Sequence, residues 1–130
     1  MANPNIVAAT AITGNTTYLT PSATTAVVLL PNAAASNKVF KINQIVVANN
    51  TGSAANTTVS VYTNGAVAQG SAPSGGTAFP VVATVSVPAN ASLIAVDKTT
   101  AIYLMEGTSI TVTSGTSSAL TYSISYEDIS

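Results

Sequence analysis

The chain has 130 residues, a net charge of -1, and only 5% charged side chains against 47% hydrophobic ones, where soluble domains average about 25% charged. Three lysines and four carboxylates give no dense basic patch, so nucleic acid is excluded as a partner. The absence of cysteine removes a disulfide framework and a thiolate nucleophile, and the absence of histidine and tryptophan removes the commonest general base and the largest aromatic platform.

Residues 1–35 differ in texture from the rest. They are rich in Ala, Thr and Asn and are broken by Pro4, Pro21 and Pro31. The opening carries neither a positive start nor a long apolar stretch, so no secretory signal is expected. The run Ala26, Val27, Val28, Leu29, Leu30 is far shorter than the ~20 residues that span a bilayer, and no membrane association is expected. Two extended pieces stand out, residues 6–12 and 26–30. They read either as ordinary strands or as an arm that packs on a neighbouring molecule. Because residues 26–30 are apolar at every position, both faces of that piece need cover.

From Asn37 the period-2 signal improves. Phe40 and Ile42 share one parity, and Ile45 and Val47 share the other. A β-bulge around Asn43 and Gln44 restores the phase. Residues 49–56 form a turn-rich loop. In residues 57–62, Val59 and Val61 point inward, and Asn64-Gly65 opens a turn. Residues 66–77 hold three glycines and a proline with no charged or aromatic side chain, and read as a long flexible loop.

Phe79, Val81 and Val82 lead into Val85 and Val87, where Pro88 closes the strand because its nitrogen cannot donate. Residues 88–91 turn, residues 93–96 form a short apolar run, and residues 97–100 turn again. Ile102 and Leu104 share a face. Gly107 sits in a tight connection before Ile110 and Val112 resume the alternation. Leu120, Tyr122, Ile124 and Tyr126 give the cleanest stripe of all. No window has helical spacing with caps. The expected fold is all-β, an antiparallel β-sandwich with jelly-roll order among its topologies. The expected organisation is an extended segment over residues 1–35 and a sandwich domain over residues 36–130.

No residue stands out as catalytic, cofactor-binding or metal-ligating. A glycosidase-like pair of Asp97 and Glu106 would need a cleft and a sugar platform. Glu127 and Asp128, adjacent in a strand, should face opposite ways, with Asp128 exposed. The tyrosines Tyr18, Tyr62, Tyr103, Tyr122 and Tyr126 are read as packing on the core or on sheet faces. The acceptor patterns at Asn15, Asn49, Asn56 and Asn90 arise from composition. Neither calcium-loop nor phosphate-loop spacing occurs, so no metal or cofactor is expected and neither is catalysis. What remains is a neutral, small-residue surface with few lysines to guard sheet edges, which suits permanent assembly.

One resemblance gives that assembly a context. Lys38-Val39-Phe40-Lys41-Ile42-Asn43, Val85-Ser86-Val87-Pro88 leading to Ser92-Leu93, Asp97-Lys98, Ile102-Tyr103-Leu104, Glu106-Gly107, Ser109-Ile110 and Ser125-Tyr126-Glu127-Asp128-Ile129 resemble small virion structural proteins of tailed bacteriophages, particularly cyanophages. The opening Met1-Ala2-Asn3-Pro4-Asn5-Ile6-Val7 is similar to the start of the same proteins, while residues 66–77 depart from their pattern. The resemblance implies a capsid decoration (cement) protein outside the head. It also implies the major capsid protein as partner, a homotrimer as the assembly, and the virion as location after assembly in the host cytoplasm. A tail, neck or fibre component and a carbohydrate-binding module on the virion are the other readings.

Overall fold

A computed structural model describes residues 4–130; Met1, Ala2 and Asn3, with which the resemblance begins, lie outside the described residues. Among the described residues nine strands follow in chain order: β1 (Ile12–Leu19), β2 (Val27–Asn32), β3 (Val39–Asn49), β4 (Ala55–Tyr62), β5 (Ala78–Val87), β6 (Ser92–Val96), β7 (Ile102–Leu104), β8 (Thr108–Ser114) and β9 (Leu120–Ile129). A three-residue 3-10 turn, Lys98–Thr100, separates β6 from β7.

The strands form two antiparallel sheets packed face to face. One has the order β1-β9-β3-β6, with β7 continuing beside β3, and the other has the order β2-β8-β4-β5. If β6 and β7 are counted as one interrupted strand, every connection crosses from one sheet to the other except the one joining β4 to β5. That is the jelly-roll order.

The core lies between the sheets. Leu120, Tyr122 and Ile124 of β9 face Val59 of β4 and Ile110 and Val112 of β8, all fully buried, with Ile42, Ile45 and Val47 of β3 beside them. The phase change in β3 occurs where expected: the β3–β9 register shifts between Ile42 and Gln44, so that Ile42 and Ile45 both face inward around a bulged Asn43. Val59 is core and Val61 packs partly against it.

Residues 6–12 are not a strand. They form a turn at residues 6–8 and an irregular stretch, and β1 begins only at Ile12. Residues 12–19, whose polar residues hide any alternation, pair with β9 without a break from Ile12–Ile129 to Leu19–Tyr122. The second extended piece is β2, paired with β8. Its Val28 is fully buried but stands outside the core cluster, opposite Thr111 on the outward row of β8.

That outward row is covered because residues 63–77 return over it. Ser109 Oγ donates to the Asn64 carbonyl at 2.9 Å, Gly76 N–H donates to Tyr62 Oη at 3.0 Å, and Val28 exchanges backbone bonds with Ser71 and Gly70 at 2.9 and 2.8 Å. Thr111, Ser60 and Tyr62 are buried as a result. The long loop is a strap tied down along its length.

Each end of the sandwich is pinned by one buried asparagine at a strand terminus. Asn32 Nδ2 donates to the carbonyls of Lys38 and Leu104, both at 3.0 Å, and its Oδ1 accepts from Ser36 Oγ. Asn49 Nδ2 donates to the carbonyls of Ser53 and Val87 at 2.8 and 3.0 Å, while its Oδ1 accepts from the backbone and hydroxyl of Thr51. A buried side-chain amide is stable only with such partners.

Candidate functional site

Asp97, Glu127 and Asp128 are committed to structure. Asp97 caps the 3-10 turn, accepting from Thr99 N at 2.9 Å, Thr99 Oγ1 at 2.5 Å and Thr100 N at 3.2 Å. These bonds, led by the Thr99 hydroxyl, hold its carboxyl below the usual carboxylate range. Glu127 and Asp128 do face opposite ways and find different lysines. Lys38 Nζ sits 2.9 Å from Asp128 Oδ2, and Lys41 Nζ sits 4.0 Å from Glu127 Oε2, which also accepts from Asn43 Nδ2. Asp128 is therefore not the exposed group expected from the sequence: its side chain is only 18% accessible, because β9 extends to Ile129 between β1 and β3. Among the described residues no group of three or more carboxylates forms a metal site.

The tyrosines divide. Tyr122 is core, Tyr62 lies under the strap, and Tyr126 packs against Phe40 with ring centroids 5.0 Å apart. Burial, and then the charge of Asp128, raises the Tyr126 hydroxyl above its ordinary value. Tyr18 and Tyr103 are exposed, opposite Ser123 and Lys41 respectively, on the outer face of the β1-β9-β3 sheet but at opposite edges. They do not form a two-ring platform.

What the outer face of this sheet does gather is apolar. Ile12, Ile129 and Val39 lie side by side across β1, β9 and β3. Val39 and Ile129 are buried there, although they stand outside the core cluster. The chain entering from the N-terminus lies beside them. A shallow depression of about 200 Å³ is lined by Pro4, Ile6, Val39, Tyr103 and Met105. Ile6, Ile12, Tyr103 and Met105 are each roughly half exposed, and Val7 is almost fully so. The depression carries no acid, base or cation among its lining residues. It can accept an apolar side chain and has nothing with which to transform one.

Comparison with protein-family models, curated proteins and solved structures finds no match to this chain. The apolar cluster was hidden from sequence reasoning because its members come from four separate stretches. The closest signal was the parity of Val39, opposite to that of Phe40 and Ile42. Of the two pinning asparagines, Asn49 falls in the stretch read as a turn-rich loop and Asn32 was not singled out, and nothing local distinguishes a buried Asn49 from the exposed Asn50 beside it.

Proposed function

We propose that this chain is a structural protein of a phage virion, a decoration protein seated on the outside of the head against the major capsid protein. The observation that carries this reading is the half-exposed apolar cluster of Ile6, Ile12, Tyr103 and Met105 on a surface almost free of charge. Exposed apolar groups that lie together mark contact surfaces. The ion pairs on Lys38 and Lys41 are satisfied within the chain, which leaves little charge for steering a partner. Attachment then rests on apolar burial and backbone hydrogen bonds, and self-association is a further means of covering sheet edges. The jelly-roll order fits this role, since such sandwiches recur in capsid proteins, though a fold by itself assigns no function.

The test is stoichiometry. In purified virions the chain should approach the copy number of the major capsid protein on a stained gel; a scarce band would move it to the tail, neck or fibre. Binding to isolated heads should persist as salt rises to about 1 M, where the screening length is only ~3 Å. Release at high salt would sink the apolar attachment. The exposed rings of Tyr18 and Tyr103 support a second reading, glycan binding on the virion, which a glycan array decides.

A further inference from the structure

Two sheets with open sides have four edges, and in this chain three of them are blocked. The edge strand β2 contains Pro31, shifts register between Val28 and Leu30, and is capped at Val28 by Gly70 and Ser71 of the strap. At β5, Pro80 removes a donor, the register to β4 shifts twice, and Thr84 stands at φ 50°. The β6–β7 edge is cut by the 3-10 turn and by a further shift opposite Ile45 and Val46. Bulges, prolines and covering loops are the usual means of preventing edge-to-edge pairing.

β1 has neither bulge nor proline, although Gln69 of the strap reaches its inner face, where its Nε2 donates to Thr17 Oγ1 at 3.0 Å. The strand pairs with β9 without a register shift, and Ile12–Leu19 contains no proline and no charged residue. Its residues from Ile12 to Thr16 and Tyr18 are exposed. Ala11 and Ser130 exchange both backbone bonds, at 3.1 and 2.9 Å. Alternation along an antiparallel ladder then turns Thr13, Asn15, Thr17 and Leu19 toward β9. The N–H and C=O groups of Ile12, Gly14, Thr16 and Tyr18 point away from the sheet.

We infer that the β1 edge pairs with β1 of a second copy of this chain, antiparallel about a two-fold axis at Asn15. The side chains of the strand are complementary to themselves in that register. Ile12 falls opposite Tyr18 and Gly14 opposite Thr16, each pair made of residues whose backbone groups face the free edge. Thr13 falls opposite Thr17, and Asn15 opposite Asn15, in the pairs between them. Branched–aromatic and Thr–Thr pairs are among the favourable cross-strand combinations. The hydrogen-bonding parity and the face parity agree, which a register moved by one residue would break.

The strand also has room for the contact. The inward-pointing Thr13 and Asn15 are exposed, so the opposite sheet does not reach over them, and a second β1 would lie against them. The result is one sheet running through both copies, closed by its own symmetry. An isologous contact of this kind makes a dimer; the three-fold assembly implied by the resemblance would have to use another surface.

The absence of cysteine makes the register directly readable. In the full chain, Asn15→Cys should form a symmetric disulfide under mild oxidation at least about tenfold faster than Thr13→Cys. A residue at the axis faces its own copy, whereas Thr13 lies several residues from its own copy, beyond disulfide reach. Sedimentation of the unaltered chain should give the mass of a dimer. Thr16→Pro removes a donor that β9 does not use, and should yield a monomer with the melting transition retained. A monomeric mass at concentrations on the order of 100 μM (a Kd weaker than about -5.5 kcal/mol) overturns the proposal. So does equal cross-linking of the two cysteine variants, or binding of β1 only to a different protein. Both cysteine positions are exposed, so that arm stands even if the proline variant fails to fold.

Discussion

The hydroxyl of Tyr122, on β9, lies 2.6 Å from that of Thr57, on β4, although the two strands belong to opposite sheets. Tyr122 Oη also donates to the carbonyl of Thr113 on β8 at 2.9 Å. A phenol has one proton, so the Thr57 hydroxyl donates to Tyr122. The ring thus fills the core while its tip joins one sheet to two strands of the other.

Removing that tip should be costly out of proportion to its size. Tyr122→Phe leaves the part-buried Thr113 carbonyl and the buried Thr57 hydroxyl without this partner, at a cost of about 1–3 kcal/mol. Thr57→Val in the same background should add little further loss, because the bond is already gone. Chemical denaturation of the two single variants and the double variant measures the coupling; full additivity would show that the two hydroxyls act independently.

The same tyrosine makes stability sensitive to alkali. Burial, opposed in part by the Thr57 bond, pushes the Tyr122 hydroxyl up to about 12 from an ordinary value of 10.0. The folded state therefore holds its proton more tightly than the unfolded chain. The corresponding stability is fully present below pH 10.0 and is lost as pH rises through about 12. Melting temperatures taken across that window should fall more steeply for the unaltered chain than for Tyr122→Phe. Tyr126, raised by burial and by Asp128, contributes in the same direction.

Asn49 offers a test of the pinned ends. Asn49→Ala should cost about 1–3 kcal/mol by stranding the buried Val87 carbonyl and removing the other bonds of its amide. Asn49→Asp should cost more, since a carboxylate cannot donate to the Ser53 and Val87 carbonyls it would face. That excess should shrink as pH drops below the carboxylate range, because protonation removes the charge. Thermal melts at acidic and neutral pH separate the two variants.

Glycine positions separate a close approach from open space. A Cβ on Gly65 would press on the Asn32 carbonyl and stand 2.6 Å from that of Thr108, whereas one on Gly52 meets nothing within 4 Å. Gly65→Ala should destabilise by about 1–3 kcal/mol or more, as overpacking against backbone does. Gly52→Ala should be close to neutral, and equal melting points for the two would contradict the tight seat of Gly65 beneath β2 and β8.

Core strand parity is tested by Ile124→Ala, which should cost about 2–5 kcal/mol. Asp128→Ala breaks a partly exposed ion pair with Lys38, and should cost no more than about 1 kcal/mol. A reversed order in thermal melts would mean that Ile124 does not face the core.

The sequence by itself determined the strands whose one buried face imposes alternation. Leu120, Tyr122 and Ile124 were legible for that reason. So was the bulge at Asn43, because an even-to-odd slip between Ile42 and Ile45 allows no other way to keep both inside. The turn over residues 97–100 was legible, whereas its form, a 3-10 turn capped by Asp97, came only from the structure. Tertiary structure alone decided where alternation fails. Residues 12–19 show no apolar alternation and form a strand because β9 offers a free edge to pair with. Phe79 and Ile94 look like core residues but are exposed, Phe79 because β5 ended up at a sheet edge and Ile94 because it stands opposite Val46 on the outer face of its sheet. Thr111, Ser60 and Ser109 look like surface residues but are buried under a strap supplied by residues 63–77. Burial of one residue in a sheet depends on what a distant part of the chain lays over it, and period-2 patterning carries no record of that.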